Sequence, residues 1–402
     1  MNQTNATYTK TSKVAAFFNA YWDAYVKNPT RPIKAEHFKA VNAMRACRTA
    51  IVGIEIYLCV GCDILCEVCH SCKHRFCPIC SWKDTMKWAE KAYNRLLNIP
   101  HRHAVATIPH QLNRLFENNY KLLNNALLKA SSETVKDWFN AKFSIVPGIM
   151  SVLHTFGEKK NQHNHSHMIV SMGGINRKTG EFKTVALDYI PYDFLSKKFR
   201  IKFEDILVEL FDTGELKHNF KDRIELMQLL KNINKKNWRF HFEPPMEDPL
   251  KVIKYIGRYS KRACISERKI TEIDGEYISF TYKDNLDRDN NNKPREKTLK
   301  LHYSEFYPLL LQHVPPSGYQ IIRYYGLYAN SSKVEEKYTT KPPMEKEACT
   351  AYKDPKICEC CGKDKIHVTT IFEKRKDKKI QKKYDLSWPK SVLKEVLKSF
   401  DC

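Results

Sequence analysis

The sequence lacks any apolar run near the roughly 18 residues that a membrane-spanning helix needs. Residues 1–14 are polar and lack the apolar core of a signal peptide. We therefore expect a cytoplasmic protein with no membrane partner. The chain also lacks an internal repeat of the kind that solenoid proteins carry.

Negative charge is scarce as well. The chain has 68 Lys and Arg residues against 45 Asp and Glu residues, a net charge of +23. Such a surplus repels itself in a compact state, so it indicates an anionic partner, with nucleic acid first. Charge alone does not separate DNA from RNA or from an acidic membrane. A hydrophobic fraction of 42% indicates a globular protein, and 402 residues suffice for two or three domains.

Composition divides the chain into four segments: a helical segment (1–46), a zinc-binding domain (47–100), a catalytic domain (101–330) and a basic tail with a candidate small metal site (331–402). In the third segment we predict strands at His103–Ile108, Gly148–Phe156, His165–Met172 and Asn237–Phe242, helices at Tyr192–Phe211 and Asp222–Ile233, and a hairpin turn at Asp274-Gly275. This mixture predicts an α+β domain around an antiparallel sheet.

The chain has 14 cysteines, which in a reducing compartment indicate metal ligands more than disulfides. Two CxxC pairs, Cys59 with Cys62 and Cys77 with Cys80, can each hold a tetrahedral zinc ion from a tight turn. The candidate zinc ligands are Cys59, Cys62, Cys72, Cys77 and Cys80. Further candidates, Cys47, Cys66, Cys69, His70 and His74, leave open a second zinc or another ligand set. An iron–sulfur cluster is an alternative, because cysteine ligation suits both.

A second cysteine group lies in the basic tail, within CECCGKDKIH. Cys358 and Cys361 have the spacing of a zinc half-site, which His367 or a distant cysteine would complete. The alternative is that these cysteines, with Cys360, are exposed thiols.

A histidine-rich strand carries the clearest sign of chemistry. His165 and His167 alternate in HNHSH and therefore share one face of a strand, about 7 Å apart. The preceding strand brings His154 opposite His165 if the turn is Lys159-Lys160, or opposite His167 if it is Lys160-Asn161, because directly opposed residues share a face. An odd-length loop would break this arrangement.

We therefore predict that His154, His165 and His167 bind a divalent metal, with His163 as a substitute or bystander. The alternative is an exposed hairpin whose histidines are satisfied by hydrogen bonds.

A predicted helix beginning at Asp248-Pro249 carries two tyrosines on one face, Tyr255 and Tyr259. The cations Lys254, Arg258, Lys261 and Arg262 surround them. A phenol is a poor nucleophile until neighbouring cations favour its phenolate, and the same cations neutralise a DNA phosphate. Taken alone, two tyrosines at this spacing are more typical of packing.

Taken in order, these motifs resemble the rolling-circle transposases of the insertion sequence 91 type, within the HUH endonucleases. The matching stretches are SCKHRFCPIC at 71–80, HRHAVATIPHQL at 101–112, PGIMSVLHTFGE at 147–158, HNHSHMIVSMGGI at 163–175, YIGRYSKR at 255–262 and EFYPLLLQHVPPSGYQIIRYYGL at 305–327, followed by the last cysteine group. The departures are Ser166 where the family usually has an apolar residue, Asn164 where it more often has proline, and Glu158 where it often has glutamine. Glu158 is therefore a rival metal ligand.

The resemblance implies an α+β fold: a ferredoxin-like, antiparallel HUH palm with inserted helices and an N-terminal zinc-binding domain. It implies His165 and His167 as metal ligands, Tyr255 and Tyr259 as nucleophiles, Mg²⁺ or Mn²⁺ as the catalytic ion and Zn²⁺ as a structural ion. The expected partner is single-stranded DNA at element ends and target, cut through a 5′-phosphotyrosine. The expected location is accordingly the bacterial cytoplasm, in association with DNA.

Three alternatives stay open at this point: a plasmid replication initiator or relaxase with the same chemistry, a zinc-dependent DNA-binding regulator without catalysis, and a metal-dependent nuclease that uses water.

Overall fold

The computed structural model describes residues 12–59, 61–62, 64–187, 189–234, 238–246, 248, 251, 253, 257, 263–329, 356–358, 360–373 and 380–384. The chain divides into two compact units. The first comprises Met1–Pro29, Ile33–Cys80 and Glu345–Cys402, and the second comprises Thr30–Pro32 and Ser81–Met344. This differs from the four expected segments, because the described residues of the tail belong to the first unit.

The described helices are α1 (Lys13–Lys27), α2 (Ala35–Arg45), α3 (Ser81–Arg95), α4 (Asn113–Asn118), α5 (Tyr120–Phe143), α6 (Tyr192–Asp212), α7 (Arg223–Ile233) and α8 (Tyr303–Leu311). The described strands are β1 (Ile54–Cys59), β2 (Ile64–Cys69), β3 (His101–Thr107), β4 (Val146–Phe156), β5 (Gln162–Ile175), β6 (Phe182–Thr184), β7 (Arg239–Met246), β8 (Ile270–Asp274), β9 (Tyr277–Arg288), β10 (Pro294–His302), β11 (Ile322–Gly326), β12 (Ile366–Glu373) and β13 (Ile380–Tyr384). The fold is α+β with antiparallel sheets. Within the described part of the chain, no helix combines the length and apolar character needed to cross a membrane.

The first unit joins two helices to a four-stranded antiparallel sheet in the order β13-β12-β1-β2. Helix α1 begins after Ser12, whose Oγ accepts a hydrogen bond from the Ala15 backbone N–H at 3.1 Å. Four of its aromatic side chains are buried at helical spacing: Phe17, Phe18, Trp22 and Tyr25. The sheet has a small core of Ile56, Leu58 and Val368. Its strands therefore come from two segments separated in sequence by the second unit.

The second unit is built on an antiparallel sheet in the order β11-β4-β5-β3-β7, with β6 paired to β5. The predicted strands in β3, β4, β5 and β7 are confirmed, as are helices α6 and α7. Asp222 caps α7 by accepting the Glu225 backbone N–H at 2.9 Å. Strands β8 and β9 flank the predicted Asp274-Gly275 turn, and with β10 they form a separate three-stranded sheet.

Side chains of the main sheet alternate between two buried faces, as strand geometry requires. The first face packs against α5, α6 and α7; examples are Ala104, Leu153 and Val170 against Leu127, Phe199 and Leu226. The second face carries Met150, Val152 and Ile169, which cluster with Leu96 and with Ile253. The predicted metal-binding histidines lie on strands β4 and β5 at positions that share this second face.

The β4–β5 hairpin has the odd-length loop that the sequence analysis treats as disruptive. Gly157 and Asn161 close a three-residue loop through a backbone N–H···O bond of 3.0 Å, and Lys160 in it has φ 63°. The register then shifts between His154 and Phe156, so that His154 still pairs with His165. The expectation that an odd loop breaks the arrangement was wrong, because a β-bulge compensates for the extra residue.

Gly326 has little space for a side chain. Its φ is 58°, and a Cβ there would overlap the Pro147 carbonyl oxygen of the neighbouring strand. We expect Gly326→Ala to lower the free energy of unfolding by about 3 kcal/mol, since backbone cannot move aside as a side chain can. Urea unfolding measures this. Gly318→Ala is the matched control: its φ is 74° but nothing lies within 4 Å, so it should cost about 1 kcal/mol. Equal losses in the two variants would contradict the overlap.

Candidate active site

Three buried histidines converge on the second face of the main sheet. His165 and His167 alternate on β5, and His154 on β4 is paired with His165. The His154 Nδ1 atom lies 3.0 Å from His165 Nε2. One nitrogen from each of the three rings lies within 4.8 Å of the others. Metal–nitrogen bonds of about 2.0–2.1 Å fit such a spacing, and three protein ligands leave coordination positions open to a substrate.

Hydrogen bonds to the Nδ1 atoms of His165 and His167 orient two of these rings. His165 Nδ1 donates to the His163 carbonyl oxygen at 2.7 Å, so its Nε2 carries the lone pair. His167 Nδ1 shares a hydrogen bond of 2.8 Å with His103 Nε2 on β3. Partners of this kind fix the tautomer and direction of a metal ligand. Sequence reasoning missed His103; its signal was an alternate-residue histidine in the strand HRHAVAT.

Burial keeps these imidazoles uncharged. It lowers the pKa of His165 to about 3, assisted by the neighbouring His163. Burial likewise lowers the pKa values of His154 and His167 well below 6.5, and His165 adds to both effects. All three are therefore neutral near pH 7, which is the protonation state that binds a metal.

The polar residues Asn164 and Ser166, which alternate with the histidines on β5, point to the first face of the main sheet. Asn164 Nδ2 donates to Asn124 Oδ1 on α5 at 2.9 Å, and Ser166 Oγ is 2.9 Å from Ser151 Oγ. Both are buried. The departures from the family pattern at 164 and 166 are thus explained: buried polar groups need partners, and α5 and β4 supply them.

Contacts at the hairpin tip hold Glu158 away from the histidines. The Glu158 carboxylate pairs with Lys269 Nζ at 3.0 Å, and Lys269 lowers the pKa of that carboxyl against the effect of burial. The buried His313 donates its Nε2 proton to the Lys160 carbonyl oxygen at 2.7 Å. Among the described residues, neither Glu158 nor His163 belongs to the histidine cluster.

The predicted nucleophiles Tyr255 and Tyr259 lie outside the described residues, as do the predicted DNA-binding residues Lys254, Arg258, Lys261 and Arg262. In the same segment Lys251, Ile253 and Gly257 have helical backbone. Ile253 is fully buried in the cluster that contains Met150, Val152 and Ile169. Its side chain therefore packs on the sheet face that also carries the histidines.

The cysteines of the first unit form two groups rather than one. Cys72, Cys77 and Cys80 group with Cys47, which the predicted ligand set omits. Cys47 Sγ lies 3.3 Å from Cys80 Sγ, and this contact lowers the pKa of the Cys80 thiol. All four sulfurs lie within 4.8 Å of one another, and a zinc tetrahedron with Zn–S bonds of about 2.3 Å has sulfur–sulfur edges of roughly 3.8 Å.

Cys59 and Cys62 belong to the other group, with Cys358 and Cys361. The single predicted set of five cysteines is therefore divided between two clusters. Of the histidines considered as ligands, His70 instead bonds Glu55 at 2.9 Å, and His367 bonds Thr370 Oγ1 at 2.9 Å. Within the described part of the chain, Cys66 and Cys69 join neither group.

Comparison with known proteins bears on both units. A family model described as "Putative transposase" matches residues 148–335, and one described as "Transposase zinc-binding domain" matches residues 17–108. The chain is 28% identical over 389 residues to the "Putative transposase y4qJ" of Sinorhizobium fredii, covering 90% of this chain and 96% of that protein. It is 27% identical over 355 residues to the transposase for insertion sequence element IS801 of Pseudomonas savastanoi pv. phaseolicola, covering 83% of each. No solved structure matches.

Proposed function

Because the chain belongs to the insertion sequence 91 family of transposases, we propose that it cuts and rejoins single-stranded DNA through a 5′-phosphotyrosine in rolling-circle transposition. The observation that carries this proposal is the cluster of His154, His165 and His167, buried and neutral on one sheet face. Its proposed partners are the DNA strands at the element ends and target, in the bacterial cytoplasm.

In this proposal the three histidines hold one Mg²⁺ or Mn²⁺ ion. Three imidazoles favour the transition metal of the two, so we expect Mn²⁺ to bind more tightly. When bound, such an ion polarises a phosphate oxygen and stabilises the charge that develops on it. His103 and the His163 carbonyl hold His167 and His165 in the direction that this requires.

Tyr255 or Tyr259 is the proposed nucleophile. The phenolate oxygen attacks the scissile phosphorus as the bond from phosphorus to the 3′ oxygen breaks, and that oxygen takes up a proton to leave a 3′-OH. The 5′ end stays esterified to the tyrosine, so a 3′-OH can later attack that ester and reseal the strand. The second tyrosine allows another cleavage while the first end is held. Lys254, Arg258, Lys261 and Arg262 are proposed to favour the phenolates and bind backbone phosphates.

Burial of Ile253 supports the placement of this segment beside the histidines. Ile253 precedes Tyr255 by two residues and packs with Val152 and Ile169, which are two residues from His154 and His167 on the same face. Lys251, Ile253 and Gly257 have helical backbone, and on such a helix Tyr255 and Tyr259 would share a side other than that of Ile253. The position of the segment, rather than the direction of the two tyrosine side chains, therefore supports the proposal.

A covalent adduct is the test. The full chain is incubated with Mn²⁺ and single-stranded oligonucleotides covering the two ends of the element that carries its gene, then run on a denaturing gel. We expect a protein–DNA band that survives denaturation. The Tyr255→Phe/Tyr259→Phe variant should form no adduct yet retain DNA binding in a gel-shift assay, because phenylalanine keeps the ring and removes only the hydroxyl.

Other outcomes distinguish the alternatives. Cleavage without an adduct would indicate a nuclease that uses water. Binding without cleavage by the wild-type chain would indicate a regulator. An undiminished adduct in the doubly substituted variant would exclude both tyrosines as nucleophiles.

A further inference from the structure

The cysteine pairs of the second group come from distant parts of the chain. Cys59 and Cys361 are 302 positions apart in sequence, yet their sulfurs are 3.5 Å apart. The sulfurs of Cys59, Cys62, Cys358 and Cys361 all lie within 4.8 Å of one another. We propose that these four cysteines form a second structural zinc site, which closes a zinc ribbon assembled from two segments that come before and after the second unit in the sequence.

Each pair has the backbone shape of a zinc-binding turn. In the first, the Cys62 N–H donates to the Cys59 carbonyl oxygen at 3.3 Å. In the second, the Gly362 N–H donates to the Cys358 carbonyl oxygen at 2.9 Å. Gly362 has φ 71°, a conformation that glycine adopts without a Cβ penalty. Two tight CxxC turns that face each other supply the four thiolates of a tetrahedral site.

Backbone N–H groups also point at the sulfurs. Those of Cys361 and Cys360 hydrogen-bond the Cys358 sulfur. Those of Gly61 and Cys62 hydrogen-bond the Cys59 sulfur. Backbone N–H groups placed in this way are suitable partners for zinc-bound thiolate sulfur.

Gly61 of the first turn lies against the second turn. A Cβ at Gly61 would lie 3.4 Å from Cys361 Sγ and 2.9 Å from Lys363 Cδ. A side chain there would displace the Lys363 side chain and would touch the Cys361 sulfur. The two turns are therefore in close contact at Gly61.

The sheet carries both turns into position. Strand β1 ends at Cys59, and β12 begins five residues after Cys361. The two strands pair antiparallel, with Leu58 opposite Ile366 and Ile54 opposite Ile371. Val368 of β12 is fully buried with Ile56 of β1. The ribbon's core is small, so a metal ion is the natural source of its remaining stability.

Zinc content tests the proposal. The full chain carrying His165→Ala and His167→Ala, which removes the histidine site for metal, should contain two zinc ions and no iron by mass spectrometry of the elements. Adding Cys358→Ser/Cys361→Ser should leave one zinc ion, since the group around Cys47 is intact. Adding Cys360→Ser instead, in the same turn but outside the group, is the matched control and should retain two. Two zinc ions after the double cysteine substitution, one zinc ion before it, or any iron would overturn the proposal.

A second measurement uses only the wild-type chain, so it remains informative if the variants do not fold. The native full chain is treated with a thiol alkylating reagent, and each cysteine is quantified by peptide mass spectrometry. Cys360 should react at once, whereas Cys59, Cys62, Cys358 and Cys361 should resist and become reactive together when zinc is chelated. Immediate reaction of Cys358 and Cys361 before chelation would overturn the proposal.

Discussion

Replacing His165 or His167 by alanine is expected to lower the rate of DNA cleavage by about a thousand-fold. Each ring supplies one of three clustered nitrogens, and charge stabilisation by a bound ion contributes several kcal/mol, where each 1.36 kcal/mol is about ten-fold in rate. The measurement is the single-turnover rate of adduct formation at saturating oligonucleotide, across a series of Mn²⁺ concentrations.

Two neighbouring histidines provide matched controls. The His163 ring lies beside that of His165 but outside the cluster of three nitrogens, and the hydrogen bond to His165 comes from the His163 backbone carbonyl; His163→Ala should therefore leave the rate within a few-fold of wild type. His103→Ala removes the bond to His167 Nδ1, so it should raise the Mn²⁺ requirement by about 10- to 100-fold while largely keeping the rate at saturating metal. If His163→Ala were as inactive as His167→Ala, loss of local structure rather than of a ligand would explain both.

Cys47→Ser is expected to release one zinc ion and unfold the loop that contains Cys72, Cys77 and Cys80. Of that loop's residues, few are apolar and buried, apart from Phe76 and the cysteines. Binding free energies of about 10–16 kcal/mol at structural zinc sites are largely folding free energies, so losing a ligand should remove most of the loop's stability. Hydrogen exchange should show amides 71–80 exchanging at least about a thousand-fold faster, which corresponds to roughly 4 kcal/mol of lost protection.

Cys69→Ser controls for the loss of a thiol as such. Cys69 lies on β2, is half-buried like Cys47, and belongs to neither cysteine group. Its replacement should leave zinc content and exchange at 71–80 unchanged. The main sheet of the second unit should also keep its protection in Cys47→Ser, because its core is lined by its own helices. Unchanged zinc content in Cys47→Ser would show that Cys47 is not a ligand.

The sequence could predict those helices and strands whose apolar residues repeat at short, regular spacing. Periodicity located α6 and α7, and alternation located β3, β4 and β5, because burial on a helix or strand face repeats at short spacing. It did not reveal α5, whose buried face includes Asn124, Ser131 and Ser132. Those side chains bond to backbone or to neighbouring polar groups, so the helix lacks the continuous apolar stripe on which the prediction depends.

Features that depend on contacts between distant parts of the chain could not be predicted from the sequence. The eight cysteines between 47 and 80 can be divided into metal-binding groups in many ways. The cysteines that join Cys59 and Cys62 are Cys358 and Cys361, which follow the second unit in the sequence. The bulge that restores the pairing of His154 with His165 depends on the loop conformation at Lys160. His103 was missed because β3 and β5, which are neighbours in the sheet, are far apart in the sequence, and nothing local indicates that they pair. Each of these is decided by tertiary packing rather than by neighbouring residues.

The pairing of β1 with β12 bears on how the protein is made. At a synthesis rate of about 5–20 residues per second, the 302 positions between Cys59 and Cys361 correspond to a delay of roughly 15–60 s. Throughout that interval the nascent β1–β2 hairpin lacks β12 on the outer edge of β1 and has two of the four proposed zinc ligands, while the second unit emerges and can fold. The second unit can thus fold before the first unit is complete, and a ribosome that stops early releases a chain in which β1 pairs with β2 alone.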